Sequence, residues 1–258
     1  MWLAAGMTPP APRGTTVDLT VESAAAGGSA GLTAYTVRPA DAQPGVPLPG
    51  VVLVHEAFGL DDEMRAHADR VAAMGYAVAA PDLFADGGAR RCLKGTFQAL
   101  RSGRGRAFQD IGTARQWLLD QEDAAGAVGV IGFCMGGGFA LLCAAPERGF
   151  DVSAVNYGQL PPTPDVLTGA CPIVASYGGR DFSLRGAAAK LETQLSRLGV
   201  EHDVVEYPDA SHAFLNEHVN GPWFLRPVLA VTGFGPEPAS AADAWARIEQ
   251  FFAAHLRG

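Results

Sequence analysis

Residues 127–145 read AVGVIGFCMGGGFALLCAA. An apolar, valine-rich run ends in GFCMGGG, from Gly132 to Gly138, and an apolar run of helical character follows. Strand, glycine-flanked turn and helix, in that order, form a sharp elbow that can mount a nucleophile. Gly132 and Gly136 fall where any side chain would crowd such a turn, and Cys134 takes the position that serine usually holds. Two other glycine-rich loops do not fit. A dinucleotide fingerprint belongs after the first strand and needs a glycine where Cys134 stands, and a phosphate-binding loop needs a Gly-Lys-Ser/Thr ending that is absent.

Around this turn, the chain alternates between short buried strands and amphipathic helices. GVVLVHE, YAVAAPD, AVGVIGF, VSAVNY, PIVASYG and HDVVEYP read as strands, the apolar runs among them as strands covered on both faces. DDEMRAHADRVAAMG, FQDIGTARQWLLDQED, LRGAAAKLETQLSRLG and ASAADAWARIEQFFAAHL read as helices. A long loop is expected between YAVAAPD and FQDIG, and a β-hairpin from TTVDLTVES and LTAYTVRPA at the start. Residues 1–15 read as a flexible tail with Met7 a second candidate start, and residues 16–258 as a single α/β domain. Its sheet is mostly parallel with helices on both faces.

Composition narrows the function. Net charge of −8 with one short basic cluster, RSGRGRAF, argues against a nucleic-acid surface, and that cluster reads as a solvated loop or helix start. No apolar run is long enough for a membrane span. The four cysteines form no C-x-x-C pair, so a zinc ribbon is not indicated, and reduced thiols in the cytoplasm are the simplest account. Cys143 and Cys171 read as buried and inert, and Cys92 is undecided between that and a loop thiol.

A thiol nucleophile needs a base, and the base an orienting acid. Asp181 follows the strand PIVASYG and His212 follows HDVVEYP, both at the carboxyl edge where open α/β sheets gather their catalytic groups. His202 opens a strand at the wrong end, Asp203 lies within that strand, and Asp209 reads as a turn former. Unpaired N–H groups at the helix start stabilise negative charge on Cys134, and the N–H of Met135 points where a carbonyl oxygen gains charge during attack. VVLVHEAFGL places His55 and Glu56 at a strand end. The H-E-x-x-H spacing of a zinc site is missing, so neither a metal nor a cofactor is expected. Ala57 N–H is the candidate second oxyanion donor. From pattern alone, Glu56 reads equally as a surface loop residue or as a carboxylate acting on the thiol.

Together HEAFG, GYAVAAPDLF, GFCMGGG, NYG, YGGRD and PDASHAF resemble the dienelactone hydrolase family, from about Gly50 to the C-terminus and in the same order. The resemblance implies an α/β-hydrolase fold and a Cys134–Asp181–His212 triad. It also implies a role for Glu56 in ionising the thiol, and Tyr157 near the pocket. Phe58, Phe214 and Trp223 are further pocket candidates.

Two positions depart from the family. It implies two arginines that bind a substrate carboxylate, where this chain has Asp86 and Asn216. Arg90, Arg91 and Arg226 are alternative cations nearby. The expected activity is therefore hydrolysis of neutral small esters or lactones through a thioester. The alternatives are a true dienelactone hydrolase (carboxymethylenebutenolidase), an isomerase or peptidase-like enzyme using the same triad, and a non-hydrolytic binding protein. The segment from 215 to 237 is a candidate roof for an apolar pocket, or a loop pinned to the body or to a dimer partner. A monomer or homodimer acting on a small molecule is expected.

Overall fold

A computed structural model describes residues 14–219 and 234–257. Eight strands form one sheet: β1 (Thr15–Asp18), β2 (Thr33–Val37), β3 (Leu48–Val54), β4 (Ala77–Pro81), β5 (Ala124–Phe133), β6 (Val152–Asn156), β7 (Ile173–Gly178) and β8 (His202–Tyr207). Their order across the sheet is β1-β2-β4-β3-β5-β6-β7-β8. β1 and β2 run antiparallel to their neighbours, and β4 through β8 are parallel.

Side-chain alternation along the strands sorts the core into two layers. Val52 and Val54 of β3 face α3 (Ala89–Ser102), α4 (Arg106–Leu119), α5 (Met135–Cys143) and α6 (Ala187–Leu198). Val51 and Leu53 face α2 (Asp62–Ala73) and the closing helix α7 (Pro238–Leu256), where Trp245, Ile248 and Phe252 are buried. Helices thus cover both faces of the sheet, as its near-continuous apolar strands require. Among the described residues, no helix is long and apolar enough to cross a membrane.

The structure corrects three expectations. Thr15, assigned to the tail, opens β1, and the preceding Gly14 N–H donates to the Tyr35 hydroxyl at 3.1 Å. β1 and β2 do pair, but no hairpin turn joins them. Residues Thr20–Ala25 form a short helix, α1, anchored where Ser23 Oγ donates to the buried Asp110 at 2.9 Å. Six residues are too few to show a helical period, so the alternation of β1 ran on into them.

The long loop after β4 is occupied instead by α3. That helix starts at Gly88 with no side-chain cap and carries Gly95 within it. Of its buried stripe of Cys92, Thr96, Ala99 and Leu100, only Leu100 is a large aliphatic residue. The basic cluster spans its last residues and the start of α4.

Candidate active site

β5 ends at Phe133, and Cys134 caps α5 with φ 54° and ψ −115°. This is strained backbone for a residue with a side chain. It is held because Cys134 N–H donates to the Asn156 carbonyl at 3.0 Å and its own carbonyl accepts from Gly138 at 3.2 Å. Glycine is obligatory on either side. A Cβ at Gly132 would lie 2.8 Å from the Gly137 nitrogen and closer still to the Gly136 carbonyl. One at Gly136 would sit 2.7 Å from the His55 carbonyl oxygen and closer to that of Val54. The first turn of α5 therefore presses against the end of β3, which places the Glu56–Ala57 loop beside the elbow.

Among the described residues, three non-glycine positions have positive φ: Cys134, Tyr157 (41°) and Ala213 (61°). The first lies at the elbow, the second one residue past β6 and the third just after His212. Backbone strain concentrates where a site over-determines its geometry.

His212 is buried, and its Nδ1–H donates to Asp181 Oδ2 at 2.6 Å. The other carboxylate oxygen of Asp181 accepts from the Ser183 N–H at 2.9 Å and the Ser183 hydroxyl at 2.6 Å, so the acid is fixed from both ends. On the far side of the imidazole, the Cys134 thiol is in hydrogen-bonding contact with His212. Burial alone would lower the His212 pKa. The hydrogen bonds with Asp181 and Cys134, and the electrostatic influence of both neighbours, outweigh it and raise the value to about 10. Burial likewise works against the Asp181 carboxylate, but His212 and Ser183 hold its pKa below the ordinary range.

Glu56 is buried at the end of β3. Asn216 Nδ2 donates to both of its carboxylate oxygens at 3.4 Å, and the Tyr157 hydroxyl is in hydrogen-bonding contact with it. Burial, with the charges of Glu56 and Cys134, pushes the Tyr157 pKa well above its ordinary value, so the phenol keeps its proton. His55 is structural. Leu83 N–H donates to its Nε2 at 3.0 Å, which leaves Nδ1–H to donate to the Glu56 carbonyl at 2.7 Å. This pair fixes the backbone that leads to Ala57.

The remaining sequence candidates scatter. Asp86, in the loop before α3, pairs at 2.5 Å with Arg106, the first residue of α4. Arg90 and Arg91 are exposed on the first turn of α3. Phe58 is half-buried on the loop after Glu56, and Phe214 is fully buried, edge-on to Tyr157 and packed against Tyr207. Trp223 and Arg226 lie outside the described residues. Phe234 is described, and its ring packs on His212 at 4.7 Å. Among the described residues, no group of three or more His, Cys, Asp or Glu side chains is placed to hold a metal.

Two contributors escaped sequence reading. Ser183 could have been signalled by the D-x-S spacing of a side-chain turn. His67 was visible only as a histidine inside the apolar stripe of α2.

The profile of the dienelactone hydrolase family matches residues 32–256. The chain belongs to that family. It is thus a hydrolase on the α/β-hydrolase fold. It is 27% identical over 190 residues to carboxymethylenebutenolidase of Pseudomonas putida, covering 68% of this chain and 78% of that one. A Salmonella typhimurium protein provisionally named carboxymethylenebutenolidase is 28% identical over 239 residues, 86% of this chain and 82% of the relative. Among solved structures, a provisional dienelactone hydrolase of Klebsiella pneumoniae superposes with a TM-score of 0.74. It is 23% identical and covers 94% of this chain and 99% of the other, which bears on the fold alone.

Proposed function

We propose that this hydrolase cleaves carboxylic esters or lactones through a thioester on Cys134, with His212 as acid–base and Asp181 as its orienting group. The observation that carries this reading is the chain of contacts from thiol to imidazole to carboxylate, presented on a strained elbow. The thiolate attacks the carbonyl carbon, and the oxyanion is met by the N–H groups of Ala57 and Met135. The tetrahedral adduct collapses, the C–O bond breaks, and His212 gives a proton to the departing alkoxide. Water, deprotonated by His212, then attacks the thioester and returns the thiol. Glu56, held by Asn216 and Tyr157, assists thiol ionisation when the acyl group enters.

Neutral substrates are favoured in this reading. At the two positions where carboxylate-binding arginines were expected, Asp86 is paired with Arg106 and Asn216 is bonded to Glu56. The relatives named carboxymethylenebutenolidase supply the second reading, an anionic dienelactone.

Turnover of a short p-nitrophenyl ester and of a dienelactone, before and after iodoacetamide, separates the two. Thiol-blocked turnover of the ester with little lactone activity supports the proposal. Strong dienelactone turnover overturns the neutral preference. Activity that survives complete alkylation of Cys134 overturns the mechanism.

A further inference from the structure

The group that aims Glu56 is itself aimed from behind. Asn216 is buried, and its Oδ1 lies 3.0 Å from His67 Nε2 and 3.4 Å from the Tyr157 hydroxyl, while Nδ2 faces Glu56. An amide has an accepting end and a donating end, and their exchange would set Oδ1 against a carboxylate. His67 decides which end points where. Its ring is buried on α2, stacked on Phe133 at 4.5 Å and tilted against Trp245 at 5.3 Å. With Nε2 protonated, it donates to Asn216 Oδ1 and leaves both Nδ2 hydrogens for Glu56.

We infer that His67 is a positioning residue for catalysis: as a neutral donor, it locks the Asn216 amide and so sets the carboxylate of Glu56 beside the elbow. The inference rests on the role proposed for Glu56. It also reaches the base. Asn216 closes a tight turn that begins one residue after His212, with Asn216 N–H donating to the Ala213 carbonyl at 3.1 Å, so the same lock steadies the loop that carries the imidazole. Burial pushes the His67 pKa down to about 4 against the Asn216 hydrogen bond, and Arg70 lowers it further, so the ring stays uncharged at neutral pH. The other titratable groups facing this network are Cys134, His212 and Tyr157 at the sheet edge, and Glu63 of α2 through its charge on Tyr157.

The test replaces His67 by Phe, which keeps the stacking ring and removes the donor, and by Gln, which restores an N–H at similar reach. The readouts are thermal stability, kcat and KM on a p-nitrophenyl ester, and the pH dependence of Cys134 alkylation by iodoacetamide. His67→Phe is expected to lower kcat roughly 10- to 100-fold with KM within about 3-fold, and to move the alkylation midpoint by about half a pH unit or more. His67→Gln should recover most of both. Asn216→Leu is expected to shift alkylation in the same direction, and serves if His67→Phe does not fold. Alkylation profile and kcat unchanged in folded His67→Phe, or in Asn216→Leu where His67→Phe does not fold, would overturn the inference and leave His67 a packing residue. Because alkylation needs no substrate, a shifted profile in a protein that turns over no ester would uphold the positioning role while the ester reading fails.

Discussion

His212 Nδ1 and Asp181 Oδ2 stand 2.6 Å apart, and both residues are buried. The pair makes His212 a far stronger base than a free imidazole, with a pKa raised to about 10. A histidine whose folded pKa exceeds its unfolded value of about 6.5 adds stability that is full below that pH and fades as pH rises through 10. Asp181→Asn removes the charge that carries much of this. The wild type is therefore expected to lose several degrees of Tm relative to the variant between roughly pH 7 and pH 10. Thermal melts across that range check it, and parallel curves would refute the coupling. Ester turnover by the variant should fall by on the order of 10³- to 10⁴-fold, because the imidazole loses its tautomer and orientation.

Alkylation should single out one thiol. Cys134 is half-exposed at the elbow, whereas Cys92 and Cys143 are buried. Burial pushes the thiols of Cys143 and Cys171 up to about 12, which leaves them almost wholly protonated at neutral pH. Peptide mapping after brief iodoacetamide treatment of the native protein at pH 7.5 is expected to find Cys134 modified at least about 10-fold faster than any other cysteine. Cys134→Ala should lower kcat on an ester by about 10³-fold or more. Comparable labelling of Cys171 would contradict the assignment.

The candidate site was legible in sequence wherever the expected chemistry needed a particular residue in a particular turn. The glycines of GFCMGGG, Asp181 after β7 and His212 after β8 each mark a strand end, and the structure gathers them at one sheet edge. What escaped notice depends on partners distant in sequence. Asn216 reaches Glu56 across 160 positions and His67 across 149, and no local pattern encodes such a pairing. In the fold, α1 and α3 were missed for a different reason. One is too short to repeat, and the other uses Cys92 and Thr96 where a period search looks for leucine.

Glycines divide into two sorts that should respond oppositely to alanine. Gly95 in α3 and Gly112 in α4 are exposed helix-interior positions where an added Cβ would meet nothing within 4 Å. Alanine there should raise stability by about 0.5–1 kcal/mol each, through helix propensity and a less free unfolded chain. At Gly136 the Cβ would strike the carbonyls of Val54 and His55, which are fixed backbone. Gly136→Ala is expected to cost several kcal/mol, on the order of the whole stability of a domain, or to prevent folding. Urea melts of the three variants give the signs, and a well-folded, active Gly136→Ala protein would rule out the tight approach of α5 to β3.

The two histidines of the site should mark opposite ends of the pH–stability curve. His212 weakens the fold as pH rises, while His67 weakens it as pH falls. Burial depresses the His67 pKa to about 4, against an ordinary value near 6.5. The unfolded chain therefore binds a proton between those values that the native ring refuses, and folding loses stability as pH drops through that window. Its contribution is complete above about pH 6.5 and progressively lost down to pH 4. His67→Gln cannot titrate, so its Tm should decline less than the wild type's between pH 6.5 and 4 while matching it above pH 7 to within a few degrees. Melts at half-unit intervals would show the wild-type curve falling away from that of the variant on the acid side. Curves that stay parallel down to pH 4 would mean that the folded ring takes up its proton as readily as the unfolded side chain, which would contradict the burial of His67 between Phe133 and Trp245 as the force that keeps it uncharged.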